Sequence, residues 1–344
     1  MVRRTLLSFA LSFVALPALA DLVVLQYHHV SDSTPSSTST SVSLFDAQMD
    51  MIADLKLEVV PLQAGTEQAL ARAEADGGND EPNQLAITFD DAYDSVYATA
   101  APILSSMDYP YTIFVNTEAV GRHGYMTWEQ LAELEQRDGV TIANHSADHG
   151  HLARKPGETA EQWNSRIDRS LDAAQATLAE KLGTEAPLFA YPYGEFDAAL
   201  EAKLAERDWY GYGQQSGPIG ESSSATRLPR FPMANAYGQL NGLPDKLQSK
   251  AFPVAADELP DGVMTDNPPL LTFALPSSMK ASRLTCFASG QGRIDINVED
   301  GEVRVQAPDA FNSRRLRYNC THPAGGGQFY WLSHQWLDPQ QPED

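Results

Sequence analysis

Two short segments carry the residue types that a metal-assisted hydrolysis needs. Asp90 and Asp91 follow an apolar run at 85–87 that predicts a buried strand, so both carboxylates lie where a strand meets a loop. His145 and His149 are four residues apart, and on one helical turn both imidazoles would point the same way. Together the segments offer one carboxylate and two imidazoles to a single metal ion, with a second carboxylate beside them.

Zinc-assisted hydrolysis uses three protein ligands and one open position, where a water is acidified and a carbonyl oxygen is polarised. Asp91, His145 and His149 provide the three ligands. Asp90 can point elsewhere because the chain turns after the strand, so we expect it to accept the proton of the water. An amide substrate also requires an acid, because an amine anion is not a viable leaving group.

The two segments resemble motifs of the NodB-type polysaccharide deacetylases, carbohydrate esterase family 4. The Thr-Phe-Asp-Asp motif is present at 88–91 and the His-Ser-x-x-His motif at 145–149. The resemblance implies that Asp90 is the general base. It also implies that zinc or another divalent transition metal is bound by Asp91, His145 and His149.

The third motif of that family is matched only in part, by Tyr-Pro-Tyr-Gly at 191–194. By resemblance, the backbone N–H of Tyr193 helps to hold the oxyanion. The arginine expected in this motif is missing, because Phe189 and Ala190 precede Tyr191. Arg230, in Leu-Pro-Arg-Phe-Pro, is the replacement that we consider.

The acid histidine of the family comes from a Leu-x-His-Asp motif that is absent here before residue 250. Leu-Gln-Tyr-His-His-Val at 25–30 looks like that motif moved to the front of the domain. This arrangement is typical of the exported deacetylases that act on biofilm poly-β-1,6-N-acetylglucosamine, which the chain resembles from 22 to about 232. The resemblance implies that His28 is the general acid and that His29 stands where relatives often have Asp. His334, in Leu-Ser-His, is a rival acid.

Hydrophobic periodicity and turn residues predict alternating strands and helices. Predicted strands lie at 22–27, 85–87, 111–116, 140–143, 188–191 and 210–214. Predicted helices lie at 45–57, 66–75, 95–107, 127–137, 159–182 and 197–206. Thr127 and Gln130 have the spacing of a capping box, and Gly183 is expected to end the long fifth helix.

Repeated βα units predict an α/β fold with a parallel sheet, either open or closed as a barrel. The resemblance implies a distorted (β/α) barrel of the polysaccharide deacetylase type, which we assign to residues 21–245. Beyond it, short alternating runs at 293–298 and 302–306 flank a hairpin signal at 299–301. We therefore expect a small all-β domain at 246–344.

Residues 1–20 have the features of a signal peptide. Arg3 and Arg4 precede an apolar stretch at 6–16, and Ala-Leu-Ala at 18–20 is a small-x-small cleavage signal. We expect an exported protein, periplasmic or extracellular, without a transmembrane segment in its mature form. Export also favours a disulfide between the two cysteines of the chain, Cys286 and Cys320.

The charge of the chain excludes two classes of partner. Without Arg3 and Arg4, 22 basic side chains face 46 acidic ones, so the formal charge changes from −22 to −24. Such a field repels phosphate polymers, and nucleic acid and anionic membranes are therefore not expected as partners. A neutral polysaccharide, or one that becomes cationic on reaction, is not repelled.

Several neighbouring residues leave alternatives open. His151 competes with His149 as a ligand, although the spacing favours His149. Asp148 is expected to face solvent or to support a ligand histidine. The aromatic tail at 329–336 is either a carbohydrate-binding segment or, as we favour, a final strand beside the disulfide. The aromatic residues that could stack on sugar rings are Tyr93, Tyr125, Trp128, Trp209, Tyr210 and Tyr212.

The sequence thus predicts a metal-dependent hydrolase that removes acetyl groups from N-acetylglucosamine units of an extracytoplasmic polysaccharide. O-deacetylation of xylan or another ester is one alternative, because an ester needs no strong acid for its leaving group. A non-catalytic glycan-binding protein is the other, in which the incomplete third motif has ended turnover.

Overall fold

The computed structural model describes residues 21–71 and 83–343. The predicted signal peptide and the end of the predicted helix at 66–75 lie outside these ranges. Within them, no helix combines the length and the apolar character that crossing a membrane requires.

The N-terminal part of the chain is built on a parallel sheet. Its strands, with two short ones at the side, are β1 (Leu22–Tyr27), β2 (His29–Val30), β3 (Ser39–Thr40), β4 (Glu58–Val59), β5 (Gln84–Asp90), β6 (Tyr111–Val115), β7 (Val140–Asn144), β8 (Leu188–Ala190), β9 (Tyr210–Tyr212) and β10 (Phe231–Pro232). Eight strands form the main sheet in the order β10-β1-β5-β6-β7-β8-β9, with β4 paired to β5, and all pairs are parallel. β2 and β3 pair separately.

The sheet curves into a distorted barrel. β10 pairs with β1 at one end of the strand order, and Leu228, just before β10, forms a parallel bridge to Tyr212 of β9 at the other end. The short segment from Leu228 to β10 therefore closes the barrel. The predicted fold class is confirmed.

Side chains alternate across the strands, and this alternation separates an inner core from an outer one. Leu22 and Val24 of β1 and Ala86 of β5 share an inner cluster with side chains from β6 to β9. Gln26 and Asp90 follow at the same two-residue period. Both polar side chains therefore lie at the carboxyl ends of their strands, where α/β barrels place reactive groups.

Helices cover the outside of the sheet. They are α1 (Val42–Asp54), α2 (Leu62–Leu70), α3 (Ala101–Ser106, preceded by a π-helical turn at Val96–Ala100), α4 (Trp128–Glu135), α5 (Ala160–Leu182), α6 (Ala198–Ala205) and α7 (Leu243–Leu247). The predicted capping box is confirmed: Thr127 Oγ1 accepts from the N–H of Gln130, whose side chain accepts from the N–H of Thr127. Gly183 ends α5 with φ +73°, a left-handed conformation that glycine adopts without a steric cost.

The C-terminal part, which we call the C-terminal β region (residues 246–343), contains two small sheets. Its strands are β11 (Lys250–Ala251), β12 (Leu270–Ala274), β13 (Thr285–Ala288), β14 (Gly292–Ile294), β15 (Ile296–Glu299), β16 (Glu302–Gln306), β17 (Arg315–Gly325) and β18 (Gln328–Leu337). One sheet has the order β11-β18-β17-β13-β14 and the other β12-β16-β15.

The predicted disulfide joins two adjacent inner strands of the first of these sheets to each other. Cys286 and Cys320 lie directly opposite each other on β13 and β17 and are joined as expected. The alternating run at 293–298 contains parts of two strands, because β14 ends at Ile294 and β15 begins at Ile296 in the other sheet. The alternating pattern continues through this break because the even-numbered side chains from Ile294 to Val298 face inward in both strands. The tail at 329–336 lies within β18, the favoured prediction for that segment.

Candidate active site

The two predicted segments meet at one edge of the sheet. β5 and β7 flank β6, and all three run parallel, so their carboxyl ends lie at the same mouth of the barrel. Asp90 is the last residue of β5 and faces the barrel interior. Asp91 and Ala92 have φ of +74° and +56°, and this turn points the carboxylate of Asp91 away from that of Asp90. The expectation that the two aspartates diverge is confirmed.

The loop after β7 corrects the prediction of a helical turn. Ser146 and His149 have φ of +67° and +53°, which a helix does not allow. The N–H of Ser146 donates to Asn144 Oδ1 at 2.8 Å, and the N–H of His149 donates to Ser146 Oγ at 3.0 Å. These side-chain bonds replace the backbone bonds of a helix and still bring both histidines to one side.

Three side chains converge as metal ligands would. Nε2 of His145 lies 3.5 Å and Nε2 of His149 3.2 Å from Oδ1 of Asp91, and the ligand atoms all lie within 4.8 Å of one another. Asp91 Oδ1 is buried and accepts no hydrogen bond. Because a buried carboxylate oxygen is costly without a partner, the set fits a cation, and one oxygen with two imidazole nitrogens suits zinc and similar divalent metals.

The surroundings of the triad favour an ionised Asp91 and a neutral His149. Burial lowers the pKa of His145, but Asp91 and Asp90 outweigh it and raise that pKa. Nδ1 of His145 lies 2.7 Å from the carbonyl oxygen of Ala190, which leaves Nε2 facing Asp91. Burial opposes ionisation of Asp91, but His145, His28 and His149 together hold the pKa of this carboxyl well below its usual range. Burial also lowers the pKa of His149, to about 4, so its imidazole is neutral at pH 7.

Asp90 is fully buried and is held by two partners that are distant in sequence. Nη1 and Nη2 of Arg230 donate to its two oxygens at 2.7 and 2.9 Å, and Nε2 of Gln26 donates to Oδ2 at 2.6 Å. Burial raises the pKa of Asp90, but the charge and hydrogen bonds of Arg230 outweigh it and lower the pKa to about 2. The carboxylate is therefore ionised and fixed in orientation.

Arg230, the replacement considered for the missing third-motif arginine, is the cationic partner of Asp90. Its side chain is fully buried, Nε donates to the carbonyl oxygen of Gly213 at 2.9 Å, and Nη1 also contacts Thr88 Oγ1 at 3.2 Å. The guanidinium lies 5.4 Å from the ring centroid of Phe114. Gln26 was not predicted as a site residue, although a glutamine within the otherwise apolar run of β1 is a signal of a buried polar contact.

Tyr193 lies on a tight turn at the same mouth. Its φ of +59° costs a residue other than glycine about 1–2 kcal/mol. The next residue, Gly194, also has positive φ, and a Cβ there would lie 2.7 Å from the side chain of Gln214. The Tyr193 ring contacts the His149 ring edge-on at 4.6 Å and stacks on the His151 ring at 4.0 Å. The third motif is thus placed directly beside the metal ligands.

The candidate acids His28 and His334, and His29 beside the first of them, have different surroundings. His28 lies between β1 and β2, close enough to Asp90, Asp91 and His149 to interact with them electrostatically. His29 stacks on Tyr93 with the ring centroids 3.6 Å apart.

His334, the rival acid, lies on β18. It lines a cavity of about 60 Å³ between the barrel and the C-terminal β region, a cavity to which no triad residue contributes. Burial first and then Arg227 lower the pKa of His334 to about 3, so its imidazole is neutral. The barrel mouth therefore contains His28 and not His334.

Two neighbours of the triad have other partners. Nδ1 of His151 lies 3.0 Å from Glu195 Oε2, and the group of ligand atoms around Asp91 includes His149 and not His151. Asp148 is exposed and accepts a hydrogen bond from Ser170 at 2.7 Å. Of the two roles expected for it, the structure shows the one in which it faces solvent.

A cleft of about 150 Å³ opens next to the triad. Asp91 and His149 line it together with Tyr93, Tyr125 and Asn116. Among the aromatic residues named above, only Tyr93 and Tyr125 line this cleft. Tyr212 is buried in the inner core instead, and Trp209 packs on Phe189.

The chain is similar to known deacetylases in sequence. Residues 77–210 match the family "Polysaccharide deacetylase". The chain is 27% identical over 199 residues to "Putative polysaccharide deacetylase YxkH" of Bacillus subtilis, covering 58% of this chain and 66% of that protein. It is 26% identical over 197 residues to the poly-β-1,6-N-acetyl-D-glucosamine N-deacetylase of Escherichia coli K12, covering 46% of this chain and 29% of the relative. The match thus spans just under two thirds of the first relative and under a third of the second.

Solved structures share the fold. IcaB from Ammonifex degensii superposes with a TM-score of 0.54 at 24% identity, covering 65% of this chain and 94% of that one. The Streptococcus pyogenes deacetylase PplD, solved in complex with acetate, also gives 0.54, at 21% identity over 62% of this chain and 93% of that one. The family match thus identifies a polysaccharide deacetylase domain at 77–210, and the solved structures show that the barrel has the fold of these proteins.

Proposed function

We propose that this protein is an exported, metal-dependent N-deacetylase acting on N-acetylglucosamine units of a polysaccharide outside the cytoplasm. The observation that carries the proposal is the convergence of Asp91, His145 and His149 next to a second, separately held carboxylate, Asp90. The similarity to an enzyme named for poly-β-1,6-N-acetylglucosamine supports this substrate class. In this proposal residues 21–245 form the catalytic domain and 246–344 a small accessory domain.

The residues at the barrel mouth have distinct roles in the proposed reaction. A divalent metal such as zinc, held by Asp91, His145 and His149, would acidify water and polarise the acetamide carbonyl. Asp90 accepts the proton of the attacking water, and Arg230 and Gln26 fix the direction of its oxygens.

The backbone N–H of Tyr193 donates to the carbonyl oxygen as negative charge develops on it. His28 donates a proton to the nitrogen as the C–N bond breaks, so the products are acetate and a free amino sugar. The position of His28 near Asp90, Asp91 and His149 supports this role.

The alternative of a non-catalytic glycan-binding protein was motivated by the missing arginine of the third motif. Arg230 makes two hydrogen bonds to Asp90, so the carboxylate does not lack a cationic partner. Among the residues that the structure describes, no contact favours an O-acetyl esterase over an N-deacetylase.

Acetate release from defined substrates tests the proposal. We expect purified protein to release acetate from β-1,6-linked N-acetylglucosamine oligomers, to lose this activity with a chelator, and to regain it when Zn²⁺ is restored. Acetylated xylan oligomers serve as the matched ester substrate. Release from xylan alone would support the esterase, and glycan binding without any acetate release would support the binding protein.

A further inference from the structure

Another buried carboxylate, Glu195, lies just behind the third motif and joins the two parts of the chain. Its side chain is fully buried and accepts from Nε and Nη2 of Arg314 at 2.8 and 3.1 Å and from Nη1 of Arg315 at 2.9 Å. Nδ1 of His151 lies 3.0 Å from Oε2 of the same carboxylate. Arg314 and Arg315 belong to the C-terminal β region, whereas Glu195 and His151 belong to the barrel.

These contacts form a rigid junction. Burial raises the pKa of Glu195, but the hydrogen bonds of His151 and Arg314 outweigh it and lower the pKa to about 2. A buried carboxylate in this state depends on its cationic partners, because removing one leaves an uncompensated charge. The third nitrogen of the Arg314 guanidinium is also bonded, because Nη1 donates to the carbonyl oxygen of Gln341 at 3.0 Å.

The junction continues to Tyr193, the residue whose N–H we assign to the oxyanion. Glu195 follows Tyr193 by two residues, and Glu195 also contacts His151, whose ring stacks on the Tyr193 ring with an interplanar angle of 3°. The guanidinium carbon of Arg315 lies 5.2 Å from the centroid of the Tyr193 ring. Aromatic rings attract cations at this distance.

Tyr193 needs such support because of its backbone. Its φ of +59° is in the left-handed region, which a tyrosine adopts only when surrounding contacts fix it. The other side of the network touches the triad, because the Tyr193 ring contacts the ring of His149 edge-on at 4.6 Å. The orientation of the Tyr193 N–H therefore depends on partners both in the barrel and in the C-terminal β region.

We propose that the C-terminal β region completes the deacetylase site, with Arg314 and Arg315 acting as positioning residues that hold Tyr193 through Glu195 and His151. Neither arginine touches the substrate in this proposal. Their role is to keep the Tyr193 N–H aimed at the oxygen that becomes negatively charged in the transition state. The inference rests on the proposed function, since it concerns the oxyanion donor of that reaction.

The proposal predicts a particular kinetic signature. A donor that acts on the developing oxyanion strengthens its bond only in the transition state, so misplacing it lowers kcat and leaves KM nearly unchanged. Complete loss of one oxyanion donor costs about 10²–10³-fold in kcat, and we expect a misplaced donor to cost about 10-fold. A purely structural junction would lower the unfolding temperature without this separation of kcat from KM.

The test uses the full chain, loaded with Zn²⁺, and three variants of arginine. R315A removes one bond to Glu195 and the cation above Tyr193, and R315K keeps the charge but not the planar guanidinium. R304A is the matched control, because Arg304 lies in the same region and pairs with the exposed Glu302 at 2.9 Å. We expect about 10-fold lower kcat in R315A, an intermediate value in R315K and wild-type kcat in R304A, with equal zinc content in all.

A tetrahedral phosphonate analogue of the acetamide and a double-mutant cycle sharpen the test. The inhibition constant of the analogue should weaken in R315A by the same factor as kcat. In the cycle, R315A and E195Q should be non-additive in kcat because they act through one network, whereas R304A and E195Q should be additive. R314K, which retains the buried charge, provides a second variant at the junction and should also lower kcat.

The possible failures are distinguishable. If wild-type protein releases acetate and R315A matches R304A in kcat and analogue affinity, the positioning inference is wrong and the proposed function stands. If wild-type protein with zinc releases no acetate from any N-acetylated oligomer, the proposed function is wrong, and the inference falls with it.

Discussion

The two sides of the barrel mouth are built in different ways. On the metal side, Asp91, His145 and His149 come from two loops; two side-chain-to-backbone bonds shape the loop after β7, and the carbonyl oxygen of Ala190 lies 2.7 Å from Nδ1 of His145. On the other side, Asp90 and Tyr193 depend on arginines from distant segments, Arg230 for Asp90 and, through Glu195, the arginines of the C-terminal β region.

This difference separates metal binding from catalysis. The metal side should tolerate changes at the arginines, because its ligands do not contact them. Substitution of these arginines should lower the rate or the stability of the protein, while the metal remains bound. Neighbouring residues of the same type, such as Asp90 and Asp91, are therefore expected to give different losses.

The largest effect should separate two histidines that are two residues apart. H149A removes a ligand, so we expect loss of bound zinc and a fall in kcat of about 10³-fold or more, since metal chemistry supplies several kcal/mol of transition-state stabilisation. H151A should keep zinc and lose only about 10-fold, as a positioning residue. Zinc content by plasma mass spectrometry and acetate release measure both, and equal zinc loss would show that the ligand set is wrong.

The next effect compares two arginines near the closure of the barrel. R230A leaves Asp90 buried without its cation, so the free energy of unfolding should fall by about 3–5 kcal/mol. The pKa of Asp90 should rise because burial is no longer opposed, and activity should disappear at a higher pH on the acidic side.

R227A is the control for that comparison. Arg227 pairs with Glu201 at 2.6 Å and makes no contact with Asp90, so its loss should lower stability without moving the pH profile. A wild-type acidic limb in R230A would contradict the assignment of Asp90 as the base.

A third prediction concerns Glu195 and pH. Its pKa is lowered from 4.5 to about 2 in the folded state, so its ion pairs contribute stability above pH 4.5. That stability is lost as the pH falls from 4.5 toward 2, and amounts to about 3 kcal/mol. Urea unfolding at pH 7, 4 and 2.5 should show E195Q less stable than wild type at pH 7, with the difference shrinking at low pH. E302Q removes a carboxylate from an exposed ion pair, so its stability should hardly differ from that of the wild type at any of these pH values.

The smallest effect is expected at Gln26. Q26L removes one donor from Asp90 but leaves both bonds of Arg230, so we expect a loss of about 1.5 kcal/mol in unfolding free energy and a small upward shift of the acidic limb. Denaturant unfolding and the pH profile of acetate release measure these changes. If the acidic limb of the pH profile moved further in Q26L than in R230A, Gln26 and not Arg230 would be the main partner that keeps Asp90 ionised.

Most elements of the barrel were predictable because their signals are local. Continuous apolar runs located β1 and β5, and capping residues located the start of α4 and the end of α5. The residues of the candidate metal triad were predictable from two motifs and their resemblance to a family. The helical turn at 145–149 was a wrong prediction, because serine and asparagine side chains competed with the backbone for its hydrogen bonds.

The sequence by itself therefore determined which residues end their strands at the mouth and which three are suited to a metal. The partners of Asp90 and Glu195 were decided by the tertiary structure, since Arg230 is 140 residues from Asp90 and Arg314 is 119 residues from Glu195. Periodicity and spacing report contacts between near neighbours along the chain. An ion pair across a barrel depends on how the sheet closes and on where a second region docks, and no local pattern records that.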